Sequence, residues 1–537
     1  METPKSAFAM YKSNPKPKQN KKKRKKSSTK SQSLQNISED TLVEAAQKLQ
    51  RQKVKDTKNI AKKKLHKKKR TKPSRSDAKE KVEKQESGEL EELPTLVPAS
   101  EEYPRMLTFA DIDDSRSAQS NGSFDFEPVT TDSVEQGFKA FQWMLGTYNA
   151  EKFLNNIWEK RPLHISRKSP HYYKELISTP VIDNVLRTEN IQFSKNIDIT
   201  SYIDGKRETH NPEGRAHPHL VWDYYLNGCS IRMLNPQTYI TKLHVLNSTL
   251  QEFFNSFVGA NAYLTPPDSQ GFAPHFDDIE AFILQVEGKK KWRLYKPLSE
   301  KDILPRVSSN NFTQDEIGEV FLEITLEPGD MLYFPRGYIH QGVTIDGEHS
   351  LHLTISMYQK HSWLNSPRRA EIGNMVGVLF DKIKNYLPID DAVDEMAKHY
   401  QHDALPPVLN DMEKCVSVFA DTDLMVDNGM VTNRVELGLD TKIRLLRKNI
   451  LRLVSEEKIR LYYYVENSLE YHGNDLTFID IEDEVAPAIE NLINSYPDYI
   501  TVEDLNLAAD SEKLQLADAL WSRGLLMTEM PLDIVDD

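Results

Sequence analysis

His275 and Asp277 stand two residues apart in the segment GFAPHFDDIE (residues 271–280), and His340 follows in FPRGYIH (residues 334–340). In an extended chain, residues two apart point to the same face, so His275 and Asp277 project together. A second imidazole completes a set of two nitrogens and one oxygen. Placed on one face of a metal, such a set leaves three coordination positions open, the facial arrangement of non-haem iron(II) oxygenases. Two of those positions suit a keto acid and one suits dioxygen. His-x-Asp alone is a common chance pairing, so the context matters. The second histidine comes after the turn EPGD (residues 327–330) and the short apolar strand MLYFP (residues 331–335), which puts it at a strand end. A zinc site built from the same ligand types fits these residues as well.

An oxygenase of this kind also needs a cation for the far carboxylate of its keto acid. Lys290 lies in GKKKWR (residues 288–293), where a strand resumes after a turn. In a regular strand Lys289 and Lys291 face the other way. A solvated hairpin tip accounts for the same lysines. The strand LHLTISM (residues 351–357) has a polar face of His352, Thr354 and Ser356. That face either looks out to water or lines a site, the second if its apolar partners pack under covering helices.

These residues sit in a β-rich stretch. AFILQVEGKKKWRLY (residues 281–295) reads as two strands joined at Glu287-Gly288, and VFLEITL (residues 320–326) alternates. Many short strands with turn punctuation predict a barrel or jelly roll rather than a βαβ sheet. Order begins near Ser133, where EQGFKAFQWML has helical apolar spacing at Phe138, Phe141, Trp143 and Met144. After about residue 365 the pattern turns helical, as in AEIGNMVGVLFDKIKNYL (residues 370–387), and residues 380–440 read as mostly helical. The last hundred residues mix helices with a strand-like pair, LYYYVEN (461–467) and LEYHG (469–473), and Gly524 stops the last helix. That order suggests a small winged-helix domain.

The 537 residues exceed one core, and a mean hydropathy of −0.60 predicts that part of the chain is disordered. No apolar run is long enough to span a membrane, and the first residues lack the apolar core of a secretion signal. Two cysteines, Cys229 and Cys415, exclude a Cys-rich zinc module and fit a reducing compartment. The net charge of −12 hides an asymmetry: residues 1–75 hold 25 Lys/Arg and 5 Asp/Glu. Clusters KKKRKK (21–26) and KKKLHKKKR (62–70) in this arm read as nuclear or nucleolar targeting or as a nucleic-acid contact. Residues 440–537 hold 9 Lys/Arg and 21 Asp/Glu, so the winged helix reads as a packing or protein-interaction module and not a duplex binder. An acidic body also suits basic substrates.

The segments GFAPHFDDIEAFILQVEGKKKW, EPGDMLYFPRGYIHQG and HSLHLTISMYQ resemble a JmjC oxygenase, and more narrowly the ribosomal oxygenase branch. WEKRPL (158–163), GCSIRMLNPQ (228–237), LYYYVENS (461–468) and GLLMTEMP (524–531) extend the resemblance over roughly residues 130–537. It implies an α+β fold: a double-stranded β-helix (jelly-roll, cupin-like) with a helical dimerisation region and a C-terminal winged helix. The expected division is a disordered basic arm (1–130), the oxygenase barrel with its flanking helices (131–364), the dimerisation region (365–439) and the winged helix (440–537). By motif, the resemblance puts iron(II) on His275, Asp277 and His340, and 2-oxoglutarate on Lys290, Asn261 and His352. It puts the protein substrate on Arg232, Tyr263, Asn311 and Ser356. Asp278 and Glu280 are not ligands in this reading.

The resemblance implies a nuclear, nucleolar homodimer that hydroxylates a histidine of a large-subunit ribosomal protein. Demethylation of methyl-lysine in histone H3, and with it transcriptional repression, is the alternative that the same motifs allow. A third is a chromatin or ribosome scaffold without activity, against which the complete triad stands.

Overall fold

The computed structural model describes residues 132–358, 389–422, 424–425, 429–470 and 475–535, all within one compact unit. The basic arm and the segment 370–387 lie outside these residues.

Strand order explains how the site is positioned. The strands β1 (Leu163–Ile165), β2 (Ile197–Ile203), β3 (Lys206–Thr209), β4 (Ser230–Leu234), β5 (Val258–Thr265), β6 (Ile279–Gly288), β7 (Lys290–Tyr295), β8 (Leu322–Leu326), β9 (Met331–Phe334), β10 (Ile339–Thr344) and β11 (Ser350–Tyr358) form two antiparallel sheets. The larger runs β1-β9-β6-β11-β5-β4-β2-β3 and the smaller β10-β7-β8. This is the double-stranded jelly roll expected from the punctuation. The turn at Gly288 was read from the sequence, yet its two strands do not pair: β6 joins the large sheet and β7 the small one. A side chain at Gly288, with φ +59°, would drive its Cβ to 1.8 Å from the His349 carbonyl oxygen. The chain can therefore pass from one sheet to the other only through glycine.

One face of the large sheet is covered by helices. Helix α1 (Ser133–Leu145) is started by Asp132, whose side chain accepts from the Val134 N–H at 2.9 Å. With α2 (Ala150–Asn156), α3 (Thr179–Thr188), α4 (Pro218–Leu226) and α5 (Thr241–Phe254) it buries Leu351, Leu353, Ile355 and Met357 of β11 and Phe282, Leu284 and Val286 of β6. Phe141, Phe153, Trp158, Phe254 and Tyr333 form an aromatic cluster there. Each such side chain contributes about 2–3 kcal/mol on leaving water. The opposite face meets the small sheet through Ile279, Ala281, Ile283, Trp292, Leu294 and Leu326.

Beyond the barrel, α6 (Ile389–Asp403) and α7 (Asp411–Cys415) are helical, but the described residues from there to β12 (Lys442–Leu445) hold turns and isolated bridges. Over the described residues of 389–440 the expectation of mostly helix was too broad; the part after Cys415 has little continuous apolar periodicity to bury. The sheets β16-β12-β17 and β13-β14-β15 follow, with β13 (Leu451–Ser455), β14 (Ile459–Tyr463), β15 (Phe478–Ile481), β16 (Ile500–Thr501) and β17 (Leu526–Thr528). Strand β14 pairs with β13 and β15, not with Leu469-Glu470 as the sequence suggested. Helices α8 (Ala486–Ser495) and α9 (Asp510–Trp521) complete the winged helix, and the Gly524 N–H closes α9 on the Trp521 carbonyl at 2.8 Å. Among the described residues no helix is long and apolar enough to cross a membrane.

Candidate metal centre

His275 and His340 are held together by backbone before any metal is considered. The His340 N–H donates to the His275 carbonyl at 2.9 Å, and the His275 N–H returns to the His340 carbonyl at 3.3 Å. Each ring is oriented by a carbonyl two residues back: His275 Nδ1 lies 2.8 Å from the Ala273 oxygen and His340 Nδ1 3.2 Å from the Tyr338 oxygen. A proton on each Nδ1 leaves both Nε2 atoms as acceptors facing Asp277. Those atoms stand 4.0 Å and 3.8 Å from the Asp277 carboxylate. All three donor atoms fall within 4.8 Å of one another, the one such metal-ligating group found among the described residues. Burial, and then His275, hold His340 well below the usual histidine range, so it is neutral as a ligand must be. Gly337, at φ +91°, turns the chain into β10; a Cβ there would lie 2.1 Å from the Asp302 oxygen.

An open cavity extends from this centre between the sheets. Its lining includes His275, Asp277 and His340, and also Lys290, Asn261, His352, Arg232, Tyr263, Thr354 and Ser356. The polar face of β11 therefore lines the site, because its apolar face packs under the helices. Of the residues singled out in the sequence, Asn311 is not in the lining. It is exposed on the β7–β8 loop, whose neighbouring Phe312 N–H binds the Pro274 carbonyl at 2.8 Å. Asp278 bonds Ser308 and Glu280 is fully buried away from the triad.

The alternation read at the turn is present. Lys289 reaches Glu327 and Lys291 reaches Glu323, both at 3.0 Å and both partly exposed. Lys290 is buried, with its Nζ 3.0 Å from the Thr265 hydroxyl and no ion-pair partner among the described residues. Burial alone brings its ammonium down to about 7. Asn261 Oδ1 and His352 Nδ1 are likewise buried without a hydrogen bond. A buried cation without a counter-ion and an open imidazole nitrogen in one cavity fit an anionic ligand.

Two lining residues carry no signal in the sequence. Arg207 on β3 and Phe272 also line the cavity, and Asp198, outside the lining, holds Arg232. Arg232 binds Asp198 twice, once at 3.1 Å through Nε, and also bonds Tyr263. The Arg207 and Arg232 guanidiniums lie 4.7 Å and 5.4 Å from the centroid of the Phe272 ring. Burial, and then Arg232, lower Arg207 to about 10. The hairpin KRET (residues 206–209) is polar throughout, so nothing in its pattern marked Arg207.

Comparison with known proteins now adds the family. Residues 232–365 match the JmjC domain, and residues 405–532 match the C-terminal winged helix domain of ribosomal oxygenase 1. The chain is 45% identical over 437 residues to the bifunctional lysine-specific demethylase and histidyl-hydroxylase NO66 of Aedes aegypti, spanning 74% of this chain and 68% of that protein. It is 42% identical over 441 residues to ribosomal oxygenase 1 of Danio rerio, spanning 74% of this chain and 81% of that protein. With the jelly roll, the triad and these matches together, the chain belongs to the JmjC oxygenases, in their ribosomal oxygenase branch.

Proposed function

We propose that this chain hydroxylates a histidine side chain in a large-subunit ribosomal protein, using iron(II), 2-oxoglutarate and dioxygen. The observation that carries the reading is one cavity holding a three-donor metal site and, within the same walls, an uncompensated Lys290. When bound, the iron with its keto acid supplies the oxidant that puts oxygen into a C–H bond, the keto acid leaving as succinate and carbon dioxide.

The chain's own residues do the rest. His275, Asp277 and His340 hold the metal on one face and leave the other face free. Lys290 takes the far carboxylate of the keto acid, where a charge-assisted hydrogen bond replaces an unpaired buried ammonium. His352 offers its open ring nitrogen to the same ligand, and Asn261 lines the same cavity. Ile279, Ile283, Trp292 and Phe334 keep water from the reacting end. Arg232, Tyr263 and Ser356 face the protein substrate from the wall, and Asn311 meets it on the exposed loop beside the ligand segment.

Demethylation of methyl-lysine is the second reading, since the relative from Aedes aegypti carries both activities in its name. An aromatic cage for a methylated ammonium needs free ring faces. Tyr263 stacks on His352 at 4.9 Å and Phe272 already carries two guanidiniums, which favours a neutral imidazole instead. Mass spectrometry of ribosomal-protein and histone H3 peptides, with a His340→Ala control, tests both. Gain of one oxygen on histidine supports the proposal. Loss of a methyl group from lysine supports the alternative, and no product from either supports a scaffold. A nuclear or nucleolar address, carried by the two basic clusters, and a homodimer belong to the same proposal. Imaging of the chain without residues 1–75 and its mass in solution test them.

A further inference from the structure

Two guanidiniums and one carboxylate stand on the substrate side of the cavity, and the carboxylate is fully used. Asp198 Oδ2 receives Arg232, and Asp198 Oδ1 receives the Asn211 amide at 2.8 Å. Arg207 donates no hydrogen bond to this carboxylate, and its Nε is buried with no partner among the described residues. It is placed by the β2–β3 hairpin, where Arg207 pairs in register with Tyr202, and by its position over Phe272. The other end of the cavity balances when loaded: iron(II), Asp277, a doubly charged keto acid and Lys290 sum to no net charge. One positive charge therefore remains in the cavity, and it belongs to Arg207.

We propose that Arg207 is the specificity residue of this site: its charge admits a neutral imidazole and turns away a methylated ammonium of similar reach. The inference rests on the histidine reading above. Like charges brought together in a desolvated pocket discriminate against the wrong ligand without needing a new contact to the right one. Arginine suits this task because it stays charged where a buried lysine does not.

The test uses the full chain with iron(II) and N-oxalylglycine, an inert stand-in for the keto acid. Two fluorescent peptides of one basic ribosomal-protein sequence differ only at the centre, histidine in one and Nε-methyl-lysine in the other. Wild type is expected to bind the histidine peptide more tightly. Arg207→Met keeps the stem packed on Phe272 and removes the charge, so the preference is expected to shrink by about tenfold. Arg207→Lys is expected to retain more of the preference than Arg207→Met. If Arg207 only props up Phe272, the Met variant keeps the wild-type ratio, and the proposal is overturned. A wild type that does not prefer histidine, whether it binds both peptides or neither, overturns it too. Failure of the hydroxylation reading shows separately, as a bound histidine peptide that gains no oxygen when 2-oxoglutarate replaces the analogue.

Discussion

Buried charge lies on either side of strand β6, and the two sides treat it differently. On the helix side, Glu280 is completely buried and meets the Arg336 guanidinium at 2.8 Å and the Tyr333 hydroxyl. Arg336 also binds Glu159 at 2.6 Å, and the Glu159 N–H donates to the Tyr333 oxygen at 2.9 Å. Every polar group there is answered by another from the chain. On the cavity side, Asn261 Oδ1 and Arg207 Nε are buried without a hydrogen bond, and buried Lys290 has one neutral partner, the Thr265 hydroxyl, and no counter-ion among the described residues. Burial dominates both sites: it lifts Glu280 to about 7 and lowers Lys290 to about 7. The difference is closure. A closed network fixes the sheet to its helices, while an open one keeps interaction energy in reserve for ligands.

The sharpest way to break this contrast is to remove a metal ligand. His340→Ala should lower metal affinity and oxygen transfer by more than about 100-fold, beyond the loss seen for residues that merely orient ligands. Metal titration followed by product mass spectrometry checks it. Because the ring faces a cavity, the fold should persist, with an unchanged circular dichroism spectrum.

Lys290→Met comes next. Losing a charge-assisted bond of about 2–3 kcal/mol should raise the KM for 2-oxoglutarate roughly 30- to 150-fold. Without ligand the same change should help stability, because an unpaired buried ammonium is removed. The sign of the pH dependence follows from its lowered value. Between 10.5 and about 7 the unfolded chain holds a proton that the folded chain lacks. Wild-type stability should therefore fall as pH drops through that window, and the Met variant should lose that slope. Thermal melts across pH, without and with 2-oxoglutarate, measure both effects. A wild type whose slope is unaltered by the Met substitution would show that the cavity is not open in the sense argued here.

Glu280→Gln acts on the other face and should reverse the pattern. Arg336 loses half of its compensation, which should cost about 3 kcal/mol of stability. Metal affinity should fall no more than about tenfold, transmitted through the turn that joins Arg336 to His340. A loss of metal binding as large as that of His340→Ala, with stability intact, would merge the two faces into one machine.

The metal-ligand spacing and the Lys290 alternation were legible in the sequence because both are local. An extended strand alternates its faces wherever it lies, so neighbours in sequence predicted neighbours in space. The polar face of β11 was half legible: its alternation was plain, but its direction depended on helices that bury Leu351, Leu353 and Ile355. Arg207 and Asp198 were illegible. They come from β3 and β2, which precede His275 by about seventy residues and two further strands and reach the cavity only through the order β5-β4-β2-β3. The exchange of sheets at Gly288 was hidden for the same reason, since a turn shows where the chain bends and not which sheet it rejoins.

Asn311 is the mildest probe, and it asks where the open face ends. The residue is exposed, and neither the cavity nor the closed network includes it. Its loop is nevertheless tied to the ligand segment on both sides, through Ser309 N–H to the Phe276 carbonyl at 3.0 Å and Phe312 N–H to the Pro274 carbonyl. A substrate leaving the cavity mouth would pass a side chain in water, where one neutral hydrogen bond contributes about 0.5–1.5 kcal/mol. Asn311→Ala should therefore raise the KM for the protein substrate roughly 2- to 10-fold and leave the melting temperature and the KM for 2-oxoglutarate at wild-type values. Initial rates with whole ribosomal protein and with a short peptide separate the outcomes. An effect on the whole protein alone extends the open face past the mouth along the loop. An equal effect on 2-oxoglutarate would instead mean that the loop supports His275, and the boundary drawn here between cavity and rim would be wrong.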